Sequence, residues 1–240
     1  MRIFYFYRVI FIYESLAVKS ISAYEREWVA TMTTQQERKT VGILIFADVE
    51  VLDFCGPFEV FASTRPPGVP DDEQQLFNVV TIAEHADTIS CRGGLLVKPH
   101  FTIDEHPFLD ILVIPGGAGT RREVKNQQLL AWIARQHLHT TFTTSVCTGA
   151  FLLAELGLLD QHQATTHWGS IARMQQSYPA ITVLDDARVV DEGHLITSAG
   201  ISAGIDMSLY VVALLHGVDV AEQTARSMEY DWHTRESVAR

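Results

Sequence analysis

The chain is predicted to fold as an α/β protein, a mostly parallel sheet with helices on both of its faces. Three observations carry that expectation. Val41–Phe46 (VGILIF) and Ile111–Ile114 (ILVI) are unbroken apolar runs, the pattern of strands covered on both sides. Such segments alternate with helix-like ones along the chain, as a parallel sheet requires. The composition, 47% hydrophobic and 20% charged over 240 residues, supplies enough apolar material for one large core.

Each element has its own local reason. After the strand Val41–Phe46 comes Asp53–Phe61, where Gly56 and Pro57 read as the opening of a helix. Phe77–Ala83 (FNVVTIA) is strand-like. Thr88–Cys91 and Leu95–Lys98 flank Gly93-Gly94 and predict a hairpin. The strand Ile111–Ile114 ends in Pro115-Gly-Gly-Ala-Gly119. Leu129–His137 is an amphipathic helix, and Thr140–Val146 leads into Cys147. A helix over Gly149–Leu156 stops at Gly157, a common helix end. Ala164–Thr166 is short and extended, and Trp168–Tyr178 reads as helix. Val189-Val190 and Leu195–Ser198 are short strands, and Ala203–His216 and Val220–Met228 are helices.

The first residues read differently. Ile3–Tyr13 (IFYFYRVIFIY) is an aromatic run broken by Arg8, too short to span a bilayer. It resembles the apolar region of a signal peptide, whereas Met32, opening MTTQQERKT, is a natural start for a compact domain. The domain is assigned to residues 40–232, with tails at 1–39 and 233–240. A net charge of −11 argues against a nucleic-acid surface, which needs clustered Lys and Arg. Cys55, Cys91 and Cys147 are odd in number and form no CxxC pair, so neither a disulfide framework nor a zinc site is indicated. A reducing, cytoplasmic setting is the simplest expectation. No membrane association, metal or organic cofactor is expected.

Three loops converge at the carboxyl ends of the predicted strands, where parallel sheets bind ligands: the one through Asp53, the glycine-rich loop after Ile114, and Cys147. Cys147 lies in Thr144-Ser-Val-Cys-Thr-Gly-Ala150, between strand and helix, with Ser145 and Gly149 two residues to either side. Small residues at those offsets suit a sharp elbow that exposes one reactive side chain. A helix N-terminus favours thiolate there; the bland alternative is a buried cysteine serving as a small hydrophobe. Gly117 and Ala118 either offer amides to a developing negative charge or merely form a tight turn. Asp53 is either an N-cap or a partly buried acid with raised proton affinity. His167 is either the thiol's base or a cap for the following helix. His137 and His139 read as solvated, and no HExxH or GxxxxGK[ST] occurs.

LDFCGPFEVF, IPGGAG, TSVCTGAFLLAELGLL, ATTHW and SAGISAGIDMSLY, in this order between Val41 and Tyr230, resemble the ThiJ/PfpI superfamily of class I glutamine-amidotransferase-like folds. Within it they most resemble the branch of isonitrile hydratases and the sensor domains of AraC-type regulators. The resemblance implies a flavodoxin-like three-layer sandwich, usually a homodimer, with Cys147 as nucleophile on the elbow. It further implies that Asp53 hydrogen-bonds that nucleophile, that Thr148 is the threonine following it, and that Gly117 belongs to the amide-donating turn. PfpI-type peptidases carry histidine where Thr148 stands, and amidotransferases need a late His-x-Glu that this chain lacks. The regulators continue into helix-turn-helix repeats, for which about ten residues after Tyr230 leave no room.

The implied activity is that of a cofactor-independent hydro-lyase converting an isonitrile, a small-molecule substrate, to an N-substituted formamide through a thioimidate on Cys147. Two other readings use the same elbow: a non-catalytic ligand- or redox-sensing domain, and glyoxalase-type hydration of a 2-oxoaldehyde.

Overall fold

A computed structural model describes residues 38–69, 74–232 and 238–239. The expectation for the N-terminal tail lies outside the described residues except at Arg38 and Lys39. Strand β1 (Lys39–Leu44) pairs in parallel with β2 (Phe77–Ala83) on one side and with β6 (Ile111–Ile114) on the other. Beyond β6 lie β7 (Phe142–Val146) and β11 (Leu195–Ser198), both parallel to it. β5 (Phe101–Thr102) extends the sheet outside β2. β10 (Val189–Glu192) is antiparallel to β11 and closes the other side, where β12 (Val238–Ala239) pairs with it in parallel. The eight-stranded order is β12-β10-β11-β7-β6-β1-β2-β5. Two small ribbons stand apart from it, the antiparallel pair β3 (Ile89–Ser90) and β4 (Leu96–Val97), and the parallel pair β8 (Gln163–Ala164) and β9 (Thr182–Val183).

All four residues of β6 and of β11 are buried, although successive side chains point to opposite faces. Both faces of the sheet are therefore covered, which is why these strands read as unbroken apolar runs. Helices α1 (Val51–Ser63), α6 (Ala203–His216) and α7 (Val218–Ser227) pack on one another. The short α2 (Thr120–Glu123) packs on α4 (Ala150–Glu155). α3 (Gln127–His137) is N-capped by the Asn126 side chain, which accepts from the Leu129 amide, and it buries Leu129, Leu130, Trp132 and Ile133. α5 (Ile171–Ser177) follows a single 3₁₀ turn at Trp168–Ser170. Trp132, Phe61 and Phe77 are among the largest fully buried side chains. Burying one such side chain contributes about 1.5–3 kcal/mol.

The predicted elements form, with two corrections that bear on the site. The helix expected to open at Gly56-Pro57 begins at Val51, one and a half turns earlier, and holds Pro57 inside it. Gly56 and Pro57 are packing residues instead: a Cβ on Gly56 would lie 2.9 Å from Ile205, and Pro57 sits against Gly204 of α6. Asp53 consequently lies within the first helical turn, and the N-cap position belongs to Glu50. The helix expected over Trp168–Tyr178 is divided, because its first three residues form the 3₁₀ turn. In the segment assigned to the C-terminal tail, Val238–Ala239 join the sheet edge through unpaired groups of β10.

Candidate active site

β7 runs straight into the elbow. Val146 is extended (φ −118°), Cys147 is left-handed (φ +58°), and the chain then passes through one 3₁₀ turn into α4. A non-glycine residue in that region carries strain of about 1–3 kcal/mol that its surroundings must hold. They do so from both sides. The Cys147 amide donates to Ala199 O (3.2 Å), and Thr166 Oγ1 donates to Cys147 O (2.7 Å). Gly149 is required by close approach, since a Cβ there would lie 2.0 Å from Ile114 O. Cys147 ends 5% exposed at the floor of a cleft of about 490 Å³.

Asp53 is fully buried, brought there because α1 starts early enough to turn its third residue inward. Its Oδ2 accepts the Gly116 amide at 2.9 Å, while Oδ1 has no hydrogen-bond partner. Gly116 permits that approach; a Cβ on it would lie 2.5 Å from the Thr148 amide and 2.9 Å from Asp53 Oδ2. Burial raises the Asp53 carboxyl from 3.8 to about 7, and Glu50 adds to the rise. The Gly116 amide, the Cys147 thiol and the Ile201 amide pull the other way without overcoming it. The carboxyl is thus the buried acid, not the cap.

The expectation that the helix terminus holds Cys147 as thiolate is corrected. Burial pushes its thiol up to about 12, and the charge of Asp53 pushes in the same direction. The Thr148 amide and hydroxyl favour thiolate but are outweighed. α4 is only six residues long and is entered through a 3₁₀ turn, so it contributes little dipole. With these affinities the thiol keeps its proton across neutral pH and the carboxyl is the group that titrates there.

Thr148, half-buried, ties the elbow to the glycine-rich loop. Its Oγ1 accepts the Gly117 amide (3.0 Å) and lies 3.2 Å from Thr120 Oγ1, which itself donates to Gly117 O (2.8 Å). The Gly117 amide is therefore engaged by a hydroxyl, contrary to the expectation that it points at an incoming charge. Ala118 lines the cleft beside Cys147 and Thr148. His167 also lines the cleft, with Nδ1 accepting the Gly169 amide at 3.2 Å as the cap of the 3₁₀ turn. The groups acting on the Cys147 thiol are Asp53 and Thr148. Of the two readings of His167, the cap is the one the geometry supports.

Sequence reasoning missed Ile201, Glu50, Arg92, Arg121 and Trp168, all of which line the cleft. Ile201 is itself left-handed (φ +60°) and presents its amide toward Asp53. Small residues on both sides, in Ala199-Gly-Ile-Ser-Ala203, were the available signal. Glu50 and Arg92 form an ion pair at the mouth, from segments 42 residues apart that no local pattern connects. Among the described residues no cluster of His, Cys, Asp or Glu has a metal-binding arrangement, all three cysteines are free, and no helix is long and apolar enough to cross a membrane.

A strained cysteine at the end of a central parallel strand, faced by a buried carboxyl from the first helix, defines an α/β protein of the cysteine-elbow class. The chain belongs to the DJ-1/PfpI family, whose profile matches residues 39–214. It is 37% identical over 190 residues to the isonitrile hydratase of Pseudomonas putida, covering 79% of this chain and 78% of that one. The transcriptional regulator GbdR of Pseudomonas aeruginosa is 26% identical over 158 residues, which is 66% of this chain but only 42% of the regulator. A ThiJ/PfpI family protein from Pseudomonas syringae has the same fold, with a TM-score of 0.72 at 28% identity over 91% of this chain and 84% of that one. The flavodoxin-like sandwich that the sequence implied is the observed fold.

Proposed function

We propose that the protein hydrates an isonitrile to an N-substituted formamide, using Cys147 as nucleophile and Asp53 as the proton carrier. The observation that carries this reading is the buried Asp53 carboxyl, which is held by the Gly116 amide and interacts with the Cys147 thiol. Likeness over most of the chain to an isonitrile hydratase supports the choice of substrate.

Sγ of Cys147 bonds to the terminal carbon of R–N≡C as its proton passes to Asp53 and then to that carbon, giving the thioimidate R–N=CH–S. Asp53, again ionised, takes a proton from water as the oxygen adds to the same carbon and passes it to nitrogen, giving R–NH–CH(OH)–S. The C–S bond then breaks as the adduct's hydroxyl proton passes through Asp53 to the sulfur, and R–NH–CHO leaves. Thr148 orients the glycine-rich loop against the elbow, and the Ala118 turn lies beside the charge that develops. The reaction draws on no metal or organic cofactor. We further propose that the protein works in the cytoplasm as a homodimer, on a small molecule and not on nucleic acid.

The test is formamide production from an aryl isonitrile by the purified protein. Cys147→Ala is expected to abolish it, while Cys55→Ala and Cys91→Ala retain it. If Cys147→Ala kept wild-type turnover, the site assignment would be wrong. The likeness to the sensor region of GbdR favours a second reading, ligand sensing without turnover. Tight binding of a small molecule with no product from any isonitrile or 2-oxoaldehyde would establish that reading instead.

A further inference from the structure

The cleft does not end at Cys147. A second cavity, of about 130 Å³, adjoins it, and Arg121 lines both. Its other walls include Phe151, Arg173, Ser177 and Tyr178, and no carboxylate is among them. Arg173 lies over the Phe151 ring, its guanidinium carbon 3.9 Å from the ring centroid. An aromatic face holds a guanidinium without neutralising it. Among the described residues, neither Arg121 nor Arg173 forms an ion pair. The nearby acid, Glu155, accepts the Tyr178 hydroxyl at 2.7 Å. In the main cleft the acid Glu50 is paired with Arg92, so Arg121 is not offset there either.

Arg121 is also fixed relative to the nucleophile. Its amide donates to Ala118 O, and its neighbour Thr120 is buried and bonded to both Gly117 O and Thr148 Oγ1. The backbone that carries Arg121 is therefore held by the hydrogen bonds that set the elbow. The chain as a whole carries −11, so two unneutralised guanidinium groups beside the site are a local reversal of its field.

We propose that Arg121 and Arg173 form an anion-recognising subsite, and that the preferred substrate bears a carboxylate at the end remote from its reacting carbon. Guanidinium is suited to this, because its planar fork meets a carboxylate through two parallel hydrogen bonds. Trp168, 81% exposed at the cleft mouth, offers a face for the portion between the two ends. The inference rests on the isonitrile reading only for the reacting end; the charge requirement belongs to the arginines.

The experiment compares 4-isocyanobenzoate with its neutral methyl ester in the wild type, Arg121→Gln and Arg173→Gln. The wild type is expected to prefer the carboxylate by about 10–100-fold in kcat/KM, the worth of a charge-assisted pair. Each variant is expected to lose that preference, the acid-to-ester ratio of kcat/KM falling to about 1. Equal handling of acid and ester by the wild type, or parallel loss for both compounds in the variants, would overturn the proposal. A second arm works whether or not any isonitrile turns over: 4-formamidobenzoate should protect Cys147 from iodoacetamide in the wild type but about 10-fold less well in Arg121→Gln. Protection alone, with no turnover of either compound, would leave the subsite standing and remove the isonitrile reading. Absence of protection in the wild type would remove the subsite.

Discussion

Asp53 is the residue on which the chemistry and the pH dependence both turn. Its folded pKa, about 7, lies above its ordinary value of 3.8, so the unfolded chain gives up this proton first. The associated stability is complete in acid and is lost as pH rises from about 4 to 7. Asp53→Asn removes that loss. Relative to wild type, the variant should gain about 2–4 kcal/mol between pH 4 and pH 8, read by thermal or urea melts at the two values. A stability difference that did not change with pH would show that the carboxyl is not buried as a charge.

The same substitution separates the two roles of the pair. Wild-type kcat/KM should rise with pH through an apparent value near 7, because chemistry needs the pair to carry one proton rather than two. Asp53→Asn should reduce turnover by about 10²–10⁴. It should nevertheless leave Cys147 alkylation by iodoacetamide at pH 8 as fast or faster, since the negative charge that raises the thiol is gone. Slower labelling would mean that losing Asp53 as acceptor of the thiol's proton outweighs losing its charge.

At the scale of elements, the elbow works because β7, the glycine-rich loop after β6 and the first turn of α1 approach to backbone contact. Gly149 against Ile114 O is the tightest of these approaches. Gly149→Ala should cost about 1–3 kcal/mol or more, as forcing atoms into a packed site does, and activity should fall with it. Unchanged stability in urea would show that the loop has room to withdraw. The elbow itself was legible in the sequence, because Ser145 and Gly149 flank Cys147 and an apolar strand precedes them. The start of α1 was not. Glycine and proline usually open a helix, but here Gly56 and Pro57 are where α1 meets α6, and tertiary packing overrode the local preference.

At the scale of the whole molecule, two expectations follow. Regular structure in the described residues begins at Lys39 and the family match starts at the same residue. A chain starting at Met32 should therefore fold cooperatively and remain in solution. Insolubility or loss of a cooperative melt would assign residues 1–31 a part in the fold. With a net charge of −11, the protein should not bind duplex DNA. Nanomolar, salt-sensitive binding in a mobility-shift experiment would favour the regulator reading over the enzyme.

The sequence by itself determined the sheet and the position of the elbow, because both are written in short-range patterns: runs of apolar residues, and small residues at fixed offsets from Cys147. It also placed Asp53 and Cys147 at one edge, because parallel strands deliver their loops there. Only the tertiary structure decided the protonation of that pair, since burial and the unpartnered Oδ1 are properties of the assembled core. It alone decided that Gly117 bonds to Thr148 and that His167 caps a turn. It alone brought Arg121 and Arg173, 52 residues apart in the chain, to one cavity, which shares Arg121 with the cleft of Cys147. Desolvation and charge proximity depend on distances through space, and chain spacing does not encode those distances.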